Sequence, residues 1–243
     1  MTADSASINL THHFLIAMPG LEDAAFAKSV VYVCEHSERG ALGLVINKPS
    51  ELSMQSLFEK VDLSLHREDL MNAPVLQGGP VHTERGFVLH DAMWVARPKP
   101  AAANDTGTAT ATTDLGAQET KEAQEAQAEA QALSEVSTQA EDNDKESVYA
   151  STMTIPGGLE MTTSKDVLEA LSMGAGPKRV LISLGYSAWG EGQLESELAE
   201  NSWLTVAADT AVIFDTPVEE RYTRAMQLLG LEPWMLSNEV GHS

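Results

Sequence analysis

Cys34 and His36 stand two residues apart in the apolar run Val30-Val31-Tyr32-Val33-Cys34-Glu35-His36. On a strand that spacing sends both side chains off one face. An imidazolium beside a thiol lowers the thiol pKa, so the pair reads as a reactive thiolate or a redox-sensitive residue. The structural alternative is that a lone cysteine in an apolar strand is a small buried hydrophobe. If Ser37 to Gly40 forms a hairpin loop, Gly43 faces Cys34 and Ala41 faces His36, and these small residues leave room above the pair. Asn47 follows on the same expected face, with an amide able to orient a ligand. Gly78-Gly79-Pro80 interrupts another strand run, which marks a bend where a second backbone comes close, or the floor of a pocket with free N–H groups. Gly190-Glu191-Gly192-Gln193-Leu194-Glu195 opens a helix on glycines. Its carboxylates would repel a phosphate, so they are better read as complementing the helix dipole. Convergence of these segments would define one pocket made of Cys34, His36, Asn47, Gly78, Gly79, Gln193 and Glu195.

Two other chemistries fit less well. Ser187 follows a strand-like run, as a hydrolase nucleophile would, but Trp189 occupies the position where such an elbow needs a small residue. The only histidine downstream is His242, near the chain end. The remaining histidines, His12, His13, His66, His82 and His90, show no ligand pair at helical spacing, so no metal and no cofactor is expected.

Positioning these residues falls to short strands separated by turn signals: 13–18, 30–36, 41–47, 74–77 and 86–94, then 148–154, 179–184 and 210–214. Helices are expected over 50–61, 164–173 and 191–201. A last helix has Thr216 as N-cap, Pro217 in its first turn and Gly230 past its end. Strands first and strand–helix alternation later indicate an α+β fold. The runs Phe87–Trp94 and Val148–Thr154 are expected to pair as a hairpin. Trp189, between a buried strand and a helix start, is expected to be a structural anchor.

Between Ala101 and Ser147 there is no aromatic residue, and 11 acidic residues face 2 basic ones. Such a stretch cannot build a core. The expected organisation is therefore a flexible N-terminus (1–8), one domain made of 9–98 plus 148–235, an acidic disordered insert (99–147) and a tail (236–243). The insert is either a tolerated surface insertion or an acidic partner-binding segment. The chain of 243 residues has a net charge of −21, and outside 101–147 the balance is still −12. Its densest basic pair is Lys178-Arg179, too short to follow a phosphate backbone, so nucleic acid is disfavoured as a partner. The start lacks the basic and apolar regions of a secretion signal, and no apolar run is long enough for a membrane span. A single cysteine excludes an intramolecular disulfide and fits a reducing compartment, so a cytoplasmic location is expected.

Phe14-Leu15-Ile16-Ala17-Met18-Pro19, the strand ending Cys34-Glu35-His36, Gly43-Leu44-Val45-Ile46-Asn47-Lys48-Pro49, Gly78-Gly79-Pro80-Val81, Gly86-Phe87-Val88-Leu89-His90, and Gly185-Tyr186 with Trp189-Gly190 and Gly192-Gln193-Leu194-Glu195 together resemble the YqgE/AlgH family of bacterial proteins. The resemblance spans 9–98 and about 148–235. It implies a coiled, bifurcated, mostly antiparallel sheet forming a small barrel with flanking helices. The insert is longer than the connection most members have there. Members are often labelled transcriptional regulators, after an association with alginate regulation, and the family supplies no catalytic residues to carry over. The expected function is thus that of a non-enzymatic regulatory or binding protein with a protein or small-molecule partner. The competing class is a thiol-dependent enzyme or redox sensor using Cys34 and His36.

Overall fold

A computed structural model describes residues 9–96, 145–232 and 235 of the chain. The N-terminal segment 1–8, the tail 236–243 and all of the insert but 145–147 lie outside the described residues.

Twelve strands are described: β1 (His13–Ala17), β2 (Val30–Ser37), β3 (Gly40–Val45), β4 (Pro49–Ser53), β5 (Pro74–Gln77), β6 (Val81–Asp91), β7 (Trp94–Ala96), β8 (Lys145–Ser147), β9 (Thr152–Ile155), β10 (Leu159–Thr162), β11 (Val180–Trp189) and β12 (Trp203–Ala207). Ten of them form one sheet in the order β12-β1-β2-β3-β11-β6-β10-β9, with β4 and β5 as a branch. The sheet is mostly antiparallel and curls into a half-barrel flanked by helices, an α+β fold.

β11 is where the sheet forks. One of its edges pairs antiparallel with β6 from Val180 to Tyr186. The opposite edge is shared, first with β5 in parallel at Ser183 and Leu184, then with β3 antiparallel from Ser187 to Trp189. Gly185, at φ +71, marks the register shift at the fork, a backbone conformation that side chains with a Cβ rarely adopt. The strand runs on through Trp189, so Ser187 is a buried mid-strand residue and no nucleophile elbow forms.

Among the described residues five α-helices cover the sheet: α1 (Met54–Lys60), α2 (Asp166–Ser172), α3 (Gln193–Ala199), α4 (Thr210–Phe214) and α5 (Arg221–Leu228). α1 is capped by Ser53, whose side chain accepts from Ser56 N–H, and buries Met54 and Phe58, one turn apart. The apolar run 210–214, expected as a strand, is helical. Asp209 caps it by accepting from Ala211 N–H, and Val212 and Ile213 go into the core. Thr216 does not cap the helix after it; its hydroxyl donates to Ala211 O, closing α4, and a 3-10 turn over Val218–Glu220 precedes α5. The expected pairing of Phe87–Trp94 with Val148–Thr154 is replaced by two arrangements. β7 pairs with β8, while β10 lies between β6 and β9.

Three apolar clusters result. The largest joins Phe14, Tyr32, Leu44, Leu76 and Leu89 to Val212, Ile213, Ala225 and Met226 of α4 and α5. A second lies beneath α3, around Val31, Val33, Trp189, Leu194 and Trp203. The third packs α1 and α2 on Val75, Val88 and Ile182.

Candidate functional site

The expected cysteine–histidine pair is taken apart by a β-bulge. Val33 pairs with Gly43, but Glu35 pairs with Leu42 and His36 with Ala41, so one extra residue sits in β2 at Cys34–Glu35. Each residue past the bulge is turned to the face opposite the one strict alternation would give it. Cys34 accordingly packs with Phe14, Tyr32 and Leu42, whereas Ala41, the partner of His36, belongs to the cluster beneath α3. Cys34 is 2% exposed and its Sγ–H points to Tyr32 O at 3.7 Å. Burial, with the Glu35 charge adding to it, pushes its thiol pKa far up. The expectation that Cys34 and His36 share a face, with Gly43 opposite Cys34, is corrected by this bulge.

The other six residues go to three places. His36 is buried; its Nδ1 accepts from Leu10 N–H at 3.0 Å and its Nε2 meets Glu195 Oε1 of α3 at 2.9 Å. Gln193 is spent locally, accepting from Gly190 N–H and donating to Glu197. Gly78 and Gly79 sit at the fork, where a Cβ on Gly78 would stand 2.2 Å from Gly185 O and one on Gly79 2.3 Å from Tyr186 O. The Gly78 N–H is not free, because it donates to Leu184 O at 2.8 Å. The bend is therefore a close backbone crossing. Asn47 ties β2 to β3, with Oδ1 accepting from Val30 N–H and Nδ2 donating to Lys28 O, and it also borders a groove.

That groove is the concave feature with the most chemistry. Its outer lobe, about 530 Å³, is lined by Asn47, Pro49, Pro74 and the Thr216–Glu219 segment. Its inner lobe, about 240 Å³, lies between α4, the β5–β11 edge and the loop before β11, with Asp69, Lys178 and Arg179 on its wall. Pro74, Val218 and Arg221 line both lobes. Arg179 is held by a forked pair to Asp91, with Nη2 at 2.6 Å, and its guanidinium lies 5.0 Å from the Phe214 ring centre. Arg67 pairs with Asp69 and donates to Pro177 O and Lys178 O, which fixes the loop carrying Lys178. Arg221 opens α5. Its Nε–H donates to Thr216 O at 3.0 Å and its Nη1–H to Ile46 O, which binds α5 to the end of β3. Burial draws the Arg221 pKa down to about 10, partly opposed by Glu219, so the group remains a cation at neutral pH. Residue patterns gave Arg221 no role, because the expected cap at Thr216 put it past the first turn; only with α5 opening at Arg221 does a cation stand in that turn, opposing the dipole and needing another reason to be there.

Fold and groove together describe a half-barrel α+β domain with a cation-lined cleft. The AlgH-like family model, DUF179, matches residues 14–140 and 130–234. The chain is 65% identical to a UPF0301 protein of Paracidovorax citrulli and 63% identical to one of Acidovorax sp. (strain JS42), each over the whole of both chains. The solution structure of the AlgH protein from Pseudomonas aeruginosa is similar at 37% identity, covering 98% of both chains with a TM-score of 0.61. A crystal structure of a Corynebacterium diphtheriae protein shares the fold at 15% identity and a TM-score of 0.58, covering 94% of this chain and 92% of that one. The chain belongs to the AlgH-like (UPF0301) family.

Proposed function

We propose that this chain is a non-enzymatic binding protein of a regulatory kind, and that its partner is a small molecule taken into the groove between the β4–β5 branch and α4–α5. The observation that carries this is two adjoining cavities that share Pro74, Val218 and Arg221, the larger of them in the range of small-molecule sites. Direct reading of DNA is disfavoured because Lys178, Arg179 and Arg221 gather around one cavity instead of forming a stripe that would follow phosphates. A cytoplasmic location agrees with a single free cysteine, and no helix among the described residues is long and apolar enough to cross a membrane. Thiol chemistry finds no support in a buried sulfur separated from its histidine by a bulge.

The test is amide chemical-shift mapping on the full chain with a low-molecular-weight bacterial extract, beside an anisotropy titration with duplex DNA at moderate salt. Saturable shifts at Asn47, Thr216 and Val218, with no saturable DNA signal, are expected. Tight, sequence-dependent DNA binding, or extract-induced shifts confined to residues outside the groove, would overturn the proposal.

A further inference from the structure

The geometry points to a ligand bearing a carboxylate or phosphate group, received by the Arg221 guanidinium where the two lobes meet. The inference rests on the groove being a binding site. A guanidinium carries five N–H donors. Arg221 gives one to Thr216 O and one to Ile46 O, so three are left without a protein acceptor among the described residues. It is the one arginine of the described residues that is buried, at 7% exposure, and none of their carboxylates lies within ion-pair distance of it.

The contrast with its neighbours is informative. Arg179 and Arg67, also at the groove, are each forked onto an aspartate, Asp91 and Asp69. With 36 acidic residues in the chain, acid is not scarce. An unpaired buried charge is costly, and an oxyanion accepting two parallel N–H bonds from the free side of the fork would relieve that cost. Glu219 is the acid whose charge Arg221 feels, and it borders the outer lobe without reaching the guanidinium. In the inner lobe Asp69 is neutralised by Arg67 and Arg179 by Asp91, which leaves Lys178 as the second cation there with no ion-pair partner among the described residues. The free donors of Arg221 and the Lys178 ammonium favour an anion, and the cavity volumes favour a small one. Ile213, Phe214 and Val218 offer an apolar wall for the rest of the molecule.

Inorganic phosphate and succinate, titrated separately into the isotope-labelled full chain at constant ionic strength, test this. Both should produce saturable shifts at Asn47, Thr216 and Val218. Tighter phosphate binding points to a phosphorylated ligand, tighter succinate binding to a carboxylic acid. Arg221→Lys keeps the charge and loses the fork, so the dissociation constant should rise at least tenfold, the size expected for a charge-assisted pair. Should that variant lose its dispersed spectrum, Lys178→Glu, at an exposed position, keeps the test open and should weaken both anions several-fold. Absence of a saturable shift with both anions, or affinities unchanged in Arg221→Lys and Lys178→Glu, overturns the inference. A neutral compound from the bacterial extract that shifts the same amides equally in wild type and Arg221→Lys would overturn it too, while leaving the groove as a binding site.

Discussion

Gly78→Ala separates a packing motif from a ligand-binding one. The new Cβ would meet Gly185 O at 2.2 Å, Ser183 Oγ at 2.8 Å and Ser183 Cβ at 3.0 Å. Carbon–oxygen contacts even in weak hydrogen bonds keep about 3.3 Å, so one backbone must withdraw by about 1 Å. That movement stretches the bonds that hold the fork together. Gly78 N–H donates to Leu184 O at 2.8 Å, and Gly78 O accepts from Val45 N–H at 2.8 Å and from Ser187 Oγ at 3.2 Å. At about 1 kcal/mol net for each bond and a further 1–3 kcal/mol for overpacking, the cost comes to about 4–6 kcal/mol. Domains of this size are stable by about 5–15 kcal/mol in total, so the variant should be near the limit of folding. Urea unfolding followed by the fluorescence of buried Trp189 and Trp203 gives the number, with the midpoint falling at unchanged slope. Gly86→Ala is the control, because nothing lies within 4 Å of its Cβ and the change should alter stability by less than about 1 kcal/mol. A Gly78→Ala variant within about 1 kcal/mol of wild type would refute the close-crossing account.

Three further outcomes follow from the geometry. Trp189 is 4% exposed, packs on Phe26 and Trp203, and shares Glu197 Oε2 with the Trp203 indole; Trp189→Ala should cost about 3–5 kcal/mol and lower Tm by about 10 °C or more in a calorimetric scan, and a wild-type Tm would remove its anchoring role. A thiol probe should label Cys34 only as urea unfolds the chain, in step with the loss of tryptophan signal; rapid labelling of the native protein at pH 8 would contradict the buried, weakly acidic thiol. His12, hydrogen-bonded to Tyr32 Oη at 2.9 Å, has its pKa held below the ordinary 6.5, first by burial and then by the His13 charge. The unfolded chain then binds more protons than the fold just below pH 6.5. Stability should fall as pH drops through 6.5 until the lower folded value is passed, and His12→Gln should flatten that fall in urea midpoints measured across the range.

Sequence pattern alone determined much of the sheet. The runs beginning at His13, Val30 and Pro74 are strands because apolar side chains fill them and turn residues bound them, and both signals act within a few residues. Gly78-Gly79 was legible either as a bend where a second backbone comes close or as a pocket floor, and only the contacts with Gly185 and Tyr186 decide for the close crossing. The same local signals failed where a decision needed a partner. The run 210–214 carries no period that separates strand from buried helix, and it became helical through the Asp209 cap and the burial of Val212 and Ile213. The bulge at Cys34–Glu35 exists only relative to β3, so strict alternation in β2 placed His36 on the wrong face. The groove is the extreme case. Arg221 reaches Ile46 O across 175 residues, and its charge acquires meaning only once the fold buries it with no carboxylate of the described residues at ion-pair distance. Periodicity and caps are properties of neighbouring residues, whereas burial and charge compensation depend on everything the chain packs around a site, and only the tertiary structure decided those.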